Sequence, residues 1–261
     1  MLSCQQPSGN SSLEPYVLGK STLSVDSPAE ELFKVENGPS HQAWHELLQE
    51  YVNAEGMVDY EGIQNDMIQL NAYLKTLSDN PPQTFWSVEE QLAYWINAYN
   101  AFAIKLIVDH YPVKSIKDLG PTVKIPLIND VWHYKFFKIG GQDFSLDKIE
   151  HGIIREQFDE PRIHFALNCA SISCPPLLNG AFLPCILDDQ LTTQARLFIN
   201  DNERNKLSLE SVQLSSIFNW FKGDFTKGGD LIEFLNKYSD QPIQSSAKIT
   251  YLDYDWDLNK Q

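Results

Sequence analysis

The chain has 261 residues, 43% of them hydrophobic and 12% aromatic, enough to bury the core of one large domain. Its 35 Asp and Glu outnumber 20 Lys and Arg, and the net charge of −15 argues against a nucleic-acid partner, because phosphate binding needs clustered cations. No apolar run reaches the about 18 residues of a membrane-spanning helix.

Residues 1–38 are rich in Ser, Pro, Gly and Asn and predict a flexible tether, with a short helix near 29–33. Within it Cys4 follows the small residue Ser3, as in the start of a bacterial lipoprotein. That predicts lipidation at Cys4, membrane contact through that anchor only, and a place in the oxidising cell envelope. The alternative is an inert cysteine in a loose terminus. With Cys4 set aside, Cys169, Cys174 and Cys185 are an odd number, which predicts one disulfide and one leftover thiol.

Residues 39–261 predict a single globular α+β domain. Trp44, Leu47, Leu48 and Tyr51 recur at helical spacing over 41–51, and Ile63, Met67, Leu70, Leu74 and Leu77 do so over 61–77. Ser87 and Glu90 form a capping box, and Pro112 closes the segment. Between them, residues 92–108 are apolar nearly all round, the pattern of a buried central helix. A strand over 134–139 ends at Gly140-Gly141, a hairpin turn. Ser145 caps a helix reaching about Phe158. Residues 163–168 read as a buried strand and 188–200 as a helix. Residues 206–209 and 212–214 read as a hairpin, 217–221 and 231–238 as helices, and 248–252 as a final strand. The expected architecture is the central helix packed on a mostly antiparallel sheet.

Chemistry concentrates in Arg162-Ile-His-Phe-Ala-Leu-Asn-Cys-Ala-Ser-Ile-Ser-Cys-Pro-Pro-Leu177. Cys169 at the end of a strand, followed by a small-residue loop containing Ser171, can be presented as a nucleophile beside oxyanion donors. It can equally be a buried hydrophobe or half of a disulfide. In an extended segment His164 and Cys169 point to opposite faces, so His164 reads as a satisfied core histidine rather than the base for Cys169.

Glu150 falls in the middle of the apolar face formed by Leu146, Ile149, Ile153 and Ile154. A carboxylate there must be paired, hydrogen-bonded or protonated, with Arg162 or a histidine as the expected partner. Asp147, His151 and Arg155 follow at i, i+4, i+8, either a solvated charge ladder or a cleft rim with His151 as general base. Asn97 and Asn100, one turn apart on the buried helix, either satisfy neighbouring backbone or orient a substrate or a catalytic histidine. His133 sits in an aromatic cluster that reads as core packing. The cysteine spacing is not that of a zinc site, and no phosphate-binding glycine loop or Gly-x-Ser-x-Gly elbow is present. Asp253, Asp255 and Asp257 read as a solvated edge. No metal or cofactor is expected.

Four motifs together resemble the domain of unknown function 547 family: Tyr94-Trp-Ile-Asn-Ala-Tyr-Asn-Ala101, Ser145-Leu-Asp-Lys-Ile-Glu-His-Gly-Ile-Ile-Arg155, Arg162 to Leu177, and Tyr254-Asp-Trp-Asp-Leu-Asn259. The resemblance covers about residues 40–260. It implies that Asn97, Asn100, Glu150, His151, Arg155, Arg162, His164, Cys169 and Cys174 occupy family motif positions, and it points to the bacterial secreted or lipid-anchored branch. It permits a loose analogy with papain-like and transglutaminase-like hydrolases, from which the chain departs by carrying Asn97 where those enzymes place a cysteine.

Two main functions are expected. One is a cell-envelope thiol hydrolase or transferase acting on peptide, amide or thiol substrates. Cys169 would be its nucleophile, His151 or His164 the base and Glu150 or an asparagine the orienting group. Asn97, Asn100, Arg155, Arg162 and Ser171 would bind substrate. The other is a non-catalytic envelope protein whose polar cluster is a structural network or a pocket for a small-molecule or peptide ligand. A third is redox work by Cys169 and Cys174, although their spacing is unlike a Cys-x-x-Cys pair.

Overall fold

A computed structural model of the protein describes Phe33, residues 35–120 and residues 130–261. Cys4 and most of the expected tether lie outside the described residues.

Helix α1 (Gln42–Tyr51) buries Trp44, Leu47 and Leu48. The single helix expected over 61–77 is two, α2 (Tyr60–Asn65) and α3 (Met67–Asp79). Asp66 leaves the helical conformation at φ −132°, ψ 76°, and its carboxylate accepts from Ile68 N, so an N-cap outcompetes the continuous apolar pattern. Helix α4 (Val88–Val108) begins with the Ser87/Glu90 capping box and is buried on nearly every side. It packs against α2 and α3 and against the helical segment that starts at Leu146.

That segment carries the site. The hairpin β1 (Phe137–Ile139) to β2 (Gln142–Phe144) turns at Gly140 and Gly141, both at positive φ, as the dipeptide predicts. It delivers the chain to Ser145, whose hydroxyl accepts from Lys148 N (3.1 Å) and starts α5 (Leu146–Ile149). A π turn over Glu150–Ile154 follows, and then the short α6 (Arg155–Gln157).

Where a strand was expected over 163–168, a 3-10 helix spans Pro161–Phe165. Pro161 presets its first residue, and the Glu160 side chain accepts from Arg162 N. A short apolar run is compatible with either state, and here the local cap decides. The parity relation between His164 and Cys169 therefore does not apply.

Helix α7 (Leu187–Ile199) joins two apolar clusters. Leu187 and Leu191 belong to the cluster around α4, while Ala195, Phe198 and Ile199 belong to a second one with Phe165, Phe218, Phe225 and Phe234. The second cluster is roofed by β3 (Lys206–Leu207), β4 (Ser211–Leu214) and β5 (Lys248–Tyr251). In this sheet β3 pairs antiparallel to β4, and β5 pairs parallel to it. Helices α8 (Ile217–Trp220), α9 (Lys222–Phe225) and α10 (Leu231–Asn236) contribute Ile217, Phe218, Phe225, Leu231, Phe234 and Leu235 to the second cluster. The α+β class holds, but the described sheets are small and the central helix is covered mainly by helices. The sheet half of the papain-like analogy has no counterpart among the described residues.

The C-terminal segment closes the fold. Ile172 N donates to Asp257 O (2.8 Å), Ser173 N to Asp255 O (3.2 Å) and Leu258 N to Lys114 O (2.9 Å), while Val58 N donates to Asn259 O (2.9 Å). The first helices, the cysteine loop and the chain end are thereby one unit. Among the described residues no helix is long and apolar enough to cross a membrane.

Candidate functional site

The π turn places Glu150 facing inward. Its side chain is 14% exposed, shares a hydrogen bond with Tyr99 of α4, and has Oε1 4.0 Å from His164 Nδ1. Burial pushes the carboxyl up to about 7, against the lowering influence of Arg155 and Tyr99. Glu150 therefore exchanges its proton near neutrality.

His164 lies flat on Phe221, ring centroids 3.9 Å apart, and its Nε2 is 2.8 Å from Asp224 Oδ2. Arg155 grips the same carboxylate, donating from Nε to Oδ2 (2.6 Å) and from Nη2 to Oδ1 (3.1 Å). A carboxylate held by a guanidinium is an acceptor, so Nε2 of His164 carries the proton and Nδ1 keeps its lone pair toward Glu150. Burial lowers the imidazole to about 4 despite Asp224, so the ring is neutral near pH 7. Asp224 itself is held far below the usual carboxylate range, first by the His164 hydrogen bond and then by Arg155. The two shifts agree: an anionic Asp224 accepts from a neutral ring.

Arg155 Nη1 also donates to His151 Nδ1. A guanidinium cannot accept, so the half-exposed His151 is neutral and lowered, through burial and then through Arg155. Tyr99, Glu150, His164, Asp224, Arg155 and His151 thus lie in one array, linked by hydrogen bonds except across the 4.0 Å between Glu150 and His164. The predicted ladder of His151 and Arg155 is thus the outer end of a buried network.

Beside this array is the cysteine loop. Cys169 and Cys174 are joined by a disulfide, and Cys185 stands outside it. Cys174 is 2% exposed, whereas Cys169 is half-buried. Ala170, between Cys169 and Ser171, adopts φ +61°, the one non-glycine positive φ among the described residues. Side chains pin this conformation: Asn168 Oδ1 accepts from Ala170 N (2.8 Å), Asn168 Nδ2 donates to Pro175 O (2.8 Å), and Arg204 Nε donates to Cys174 O (2.8 Å). Tyr254 Oη lies 3.4 Å from Cys169 Sγ, 3.2 Å from Cys174 Sγ and 3.1 Å from Ser171 Oγ. Cys169 N donates to Cys174 Sγ (2.9 Å). Burial raises the Tyr254 phenol, and Glu150 is close enough to add to that rise.

Several expected roles change. Cys169 is tied in a disulfide and is not a thiolate nucleophile in this structure; its neighbours are Ser171 and Tyr254 rather than a histidine. Asn97 is fully buried, with Nδ2 donating to Phe182 O (2.7 Å) and Oδ1 accepting from Phe182 N (2.9 Å). Asn100 bonds Ala166 O and Asn168 N in the same way, both at 2.9 Å. Both amides are buried and bonded to backbone, the structural one of the two expected readings, and Asn100 fixes the segment that leads to Cys169. Ser171 is 1% exposed and supports Tyr254 instead of facing a ligand. Arg162 binds Glu160, Asp188 and Thr192 Oγ1, tying the 3-10 helix to α7, and is not the partner of Glu150. His133 pairs with Asp130 (2.8 Å) and lies 3.6 Å from Asp147 rather than packing in the core.

Sequence reasoning missed Asp224, Tyr99 and Phe221. Asp224 lies in a four-residue helix 60 positions from His164, with no local pattern to signal it. Tyr99 was visible only as one more aromatic on the buried helix. Among the described residues no group of three or more His, Cys, Asp or Glu is arranged to hold a metal ion.

Residues 83–199 match the model of the family described as Protein of unknown function, DUF547. No curated protein matches the chain, and no solved structure does. The matched span contains Glu150, His151, Arg155, His164, Cys169 and Cys174, while Asp224 and Tyr254 fall beyond it.

Proposed function

We propose that this chain, whose residues 83–199 match the DUF547 family model, is a thiol–disulfide exchange protein working through Cys169 and Cys174 in an oxidising compartment such as the cell envelope. The observation that carries this is the asymmetry of the disulfide: Cys169 is partly exposed, whereas Cys174 is 2% exposed and its sulfur accepts from Cys169 N and the Tyr254 hydroxyl.

An incoming thiolate attacks Sγ of Cys169, the less buried of the two cysteines. The S–S bond breaks and its electron pair leaves on Cys174 Sγ, where the Cys169 N–H and the Tyr254 hydroxyl stabilise the charge. A proton then neutralises Cys174. A second substrate thiolate resolves the mixed disulfide, so two substrate thiols are oxidised to a disulfide while the protein becomes a dithiol.

A purely structural role for the bridge fits less well. With a sequence separation of five, it removes little chain entropy, about 2 kcal/mol. The loop is already held by Asn168, Arg204 and the C-terminal segment. Strain at a non-glycine left-handed residue beside Cys169 is the kind that accumulates at functional sites.

The test uses the folded protein without denaturant. Incubation with 2-mercaptoethanol followed by alkylation and mass mapping should label Cys169 and Cys174 together. With 2-hydroxyethyl disulfide as the oxidant, the Cys174→Ser variant should form a mixed disulfide at Cys169, releasing 2-mercaptoethanol, and the Cys169→Ser variant should form none at Cys174. A bridge that opens only when urea unfolds the chain sinks this reading.

A further inference from the structure

We infer that the thiols this site accepts belong to basic polypeptide segments, which dock on an aromatic slab that continues from the disulfide to the surface. The inference rests on the exchange reading above.

Tyr254 is the hinge between the two features. Its hydroxyl touches both sulfurs, and its ring packs on Trp220 (4.8 Å) and Trp256 (4.5 Å). Trp220 and Trp256 stack on each other at 5.8 Å with an interplanar angle of 21°, and Trp220 is 49% exposed. A ring face of this slab already hosts a cation: Lys117 Nζ stands 4.7 Å over Trp256. The chain's own ammonium thus displays the chemistry a docked lysine or arginine would use.

The exposed charge along this segment is acidic, and Arg204, the cation on the cysteine loop, is paired with Asp201. Asp253, Asp255 and Asp257 are exposed and alternate with Tyr254 and Trp256 along the segment. Asp255 and Asp257 are fixed on the cysteine loop itself through Ser173 and Ile172. With the chain at −15 overall, an approaching anionic thiol meets repulsion, whereas a thiolate flanked by cations is drawn in. Stacking area and cation–π contacts then hold the flanking residues in place.

Opening of the bridge in the folded full chain is timed with cysteamine, 2-mercaptoethanol and 2-mercaptoethanesulfonate, each rate corrected to the thiolate present. The expected order is cationic, neutral, anionic, with about a tenfold spread at low ionic strength. About 0.5 M salt should shrink the spread below about twofold. Asp255→Asn with Asp257→Asn should narrow it without salt. Trp220→Ala should slow a lysine-flanked cysteine peptide more than a glutamate-flanked one. A flat or reversed order in the wild-type protein overturns this inference and leaves the exchange reading standing. Failure of every thiol to open the bridge removes both. The salt series needs no variant, so a poorly folding substitution does not blunt the test.

Discussion

Glu150→Gln is expected to make the protein more stable than wild type at pH 8, by up to about 3 kcal/mol, and to leave it nearly unchanged at pH 5. Folding moves the Glu150 carboxyl from an ordinary 4.5 up to about 7. A group raised in the folded state contributes fully below its unfolded value, and that contribution is lost as pH rises through the folded one. The loss falls between about pH 4.5 and 7 and amounts to about 3 kcal/mol, because each unit is worth about 1.4 kcal/mol and the side chain is well shielded. Glutamine keeps the shape and a partner for Tyr99 but never ionises. Urea unfolding of both proteins at pH 5 and pH 8 gives the answer. A stability difference that does not change between the two pH values refutes the buried, titrating carboxyl. His164 works in the opposite direction: lowered from 6.5 to about 4, it contributes above its unfolded value and loses that contribution as the solution is acidified through this range. The variant leaves this acid-side slope in place.

Asp224→Ala is expected to cost about 3 kcal/mol, the lower end for a broken buried pair because Arg155 keeps some access to water. The substitution strands a guanidinium fork and the Nε2–H of a histidine that is 1% exposed at its side chain. In calorimetry this is a fall in Tm of roughly 6–12 °C for a domain of this size. Asp224→Asn, which retains an acceptor, should lose less. A fall below about 1 kcal/mol for the alanine variant would mean that the array is not held together at Asp224.

Much of the scaffold was legible because its signals are local. The Ser87/Glu90 box, the Gly140-Gly141 turn, the Ser145 cap and the apolar sweep of 92–108 each specify their element without help from elsewhere. Glu150 was legible for the same reason, as a charge on an apolar stripe. What failed depended on competition or on distance. Asp66 split a helix that periodicity alone would continue, and Pro161 with Glu160 turned an apolar run into a 3-10 helix. The cysteine count foretold one bridge, but only the folded loop selects Cys169 and Cys174. Asp224 and Tyr254 act on residues 60 and 85 positions away, and no spacing rule reaches that far. Asn97 and Asn100 had two readings, and their backbone partners chose the structural one.

The π turn also sets the phase of everything that follows it. A π turn is an ordinary helix carrying one inserted residue, and every position after it is rotated by about a third of a turn. Gly152, exposed and with nothing crowding it, sits in the middle of that insertion. In a straight-helix version of this segment, Arg155 would leave from a different side and its fork would miss Asp224, while Leu146 and Ile149 would keep their places in the core. One residue's length within a packed helix thus decides whether the segment is a plain structural element or one that brings Arg155 to Asp224.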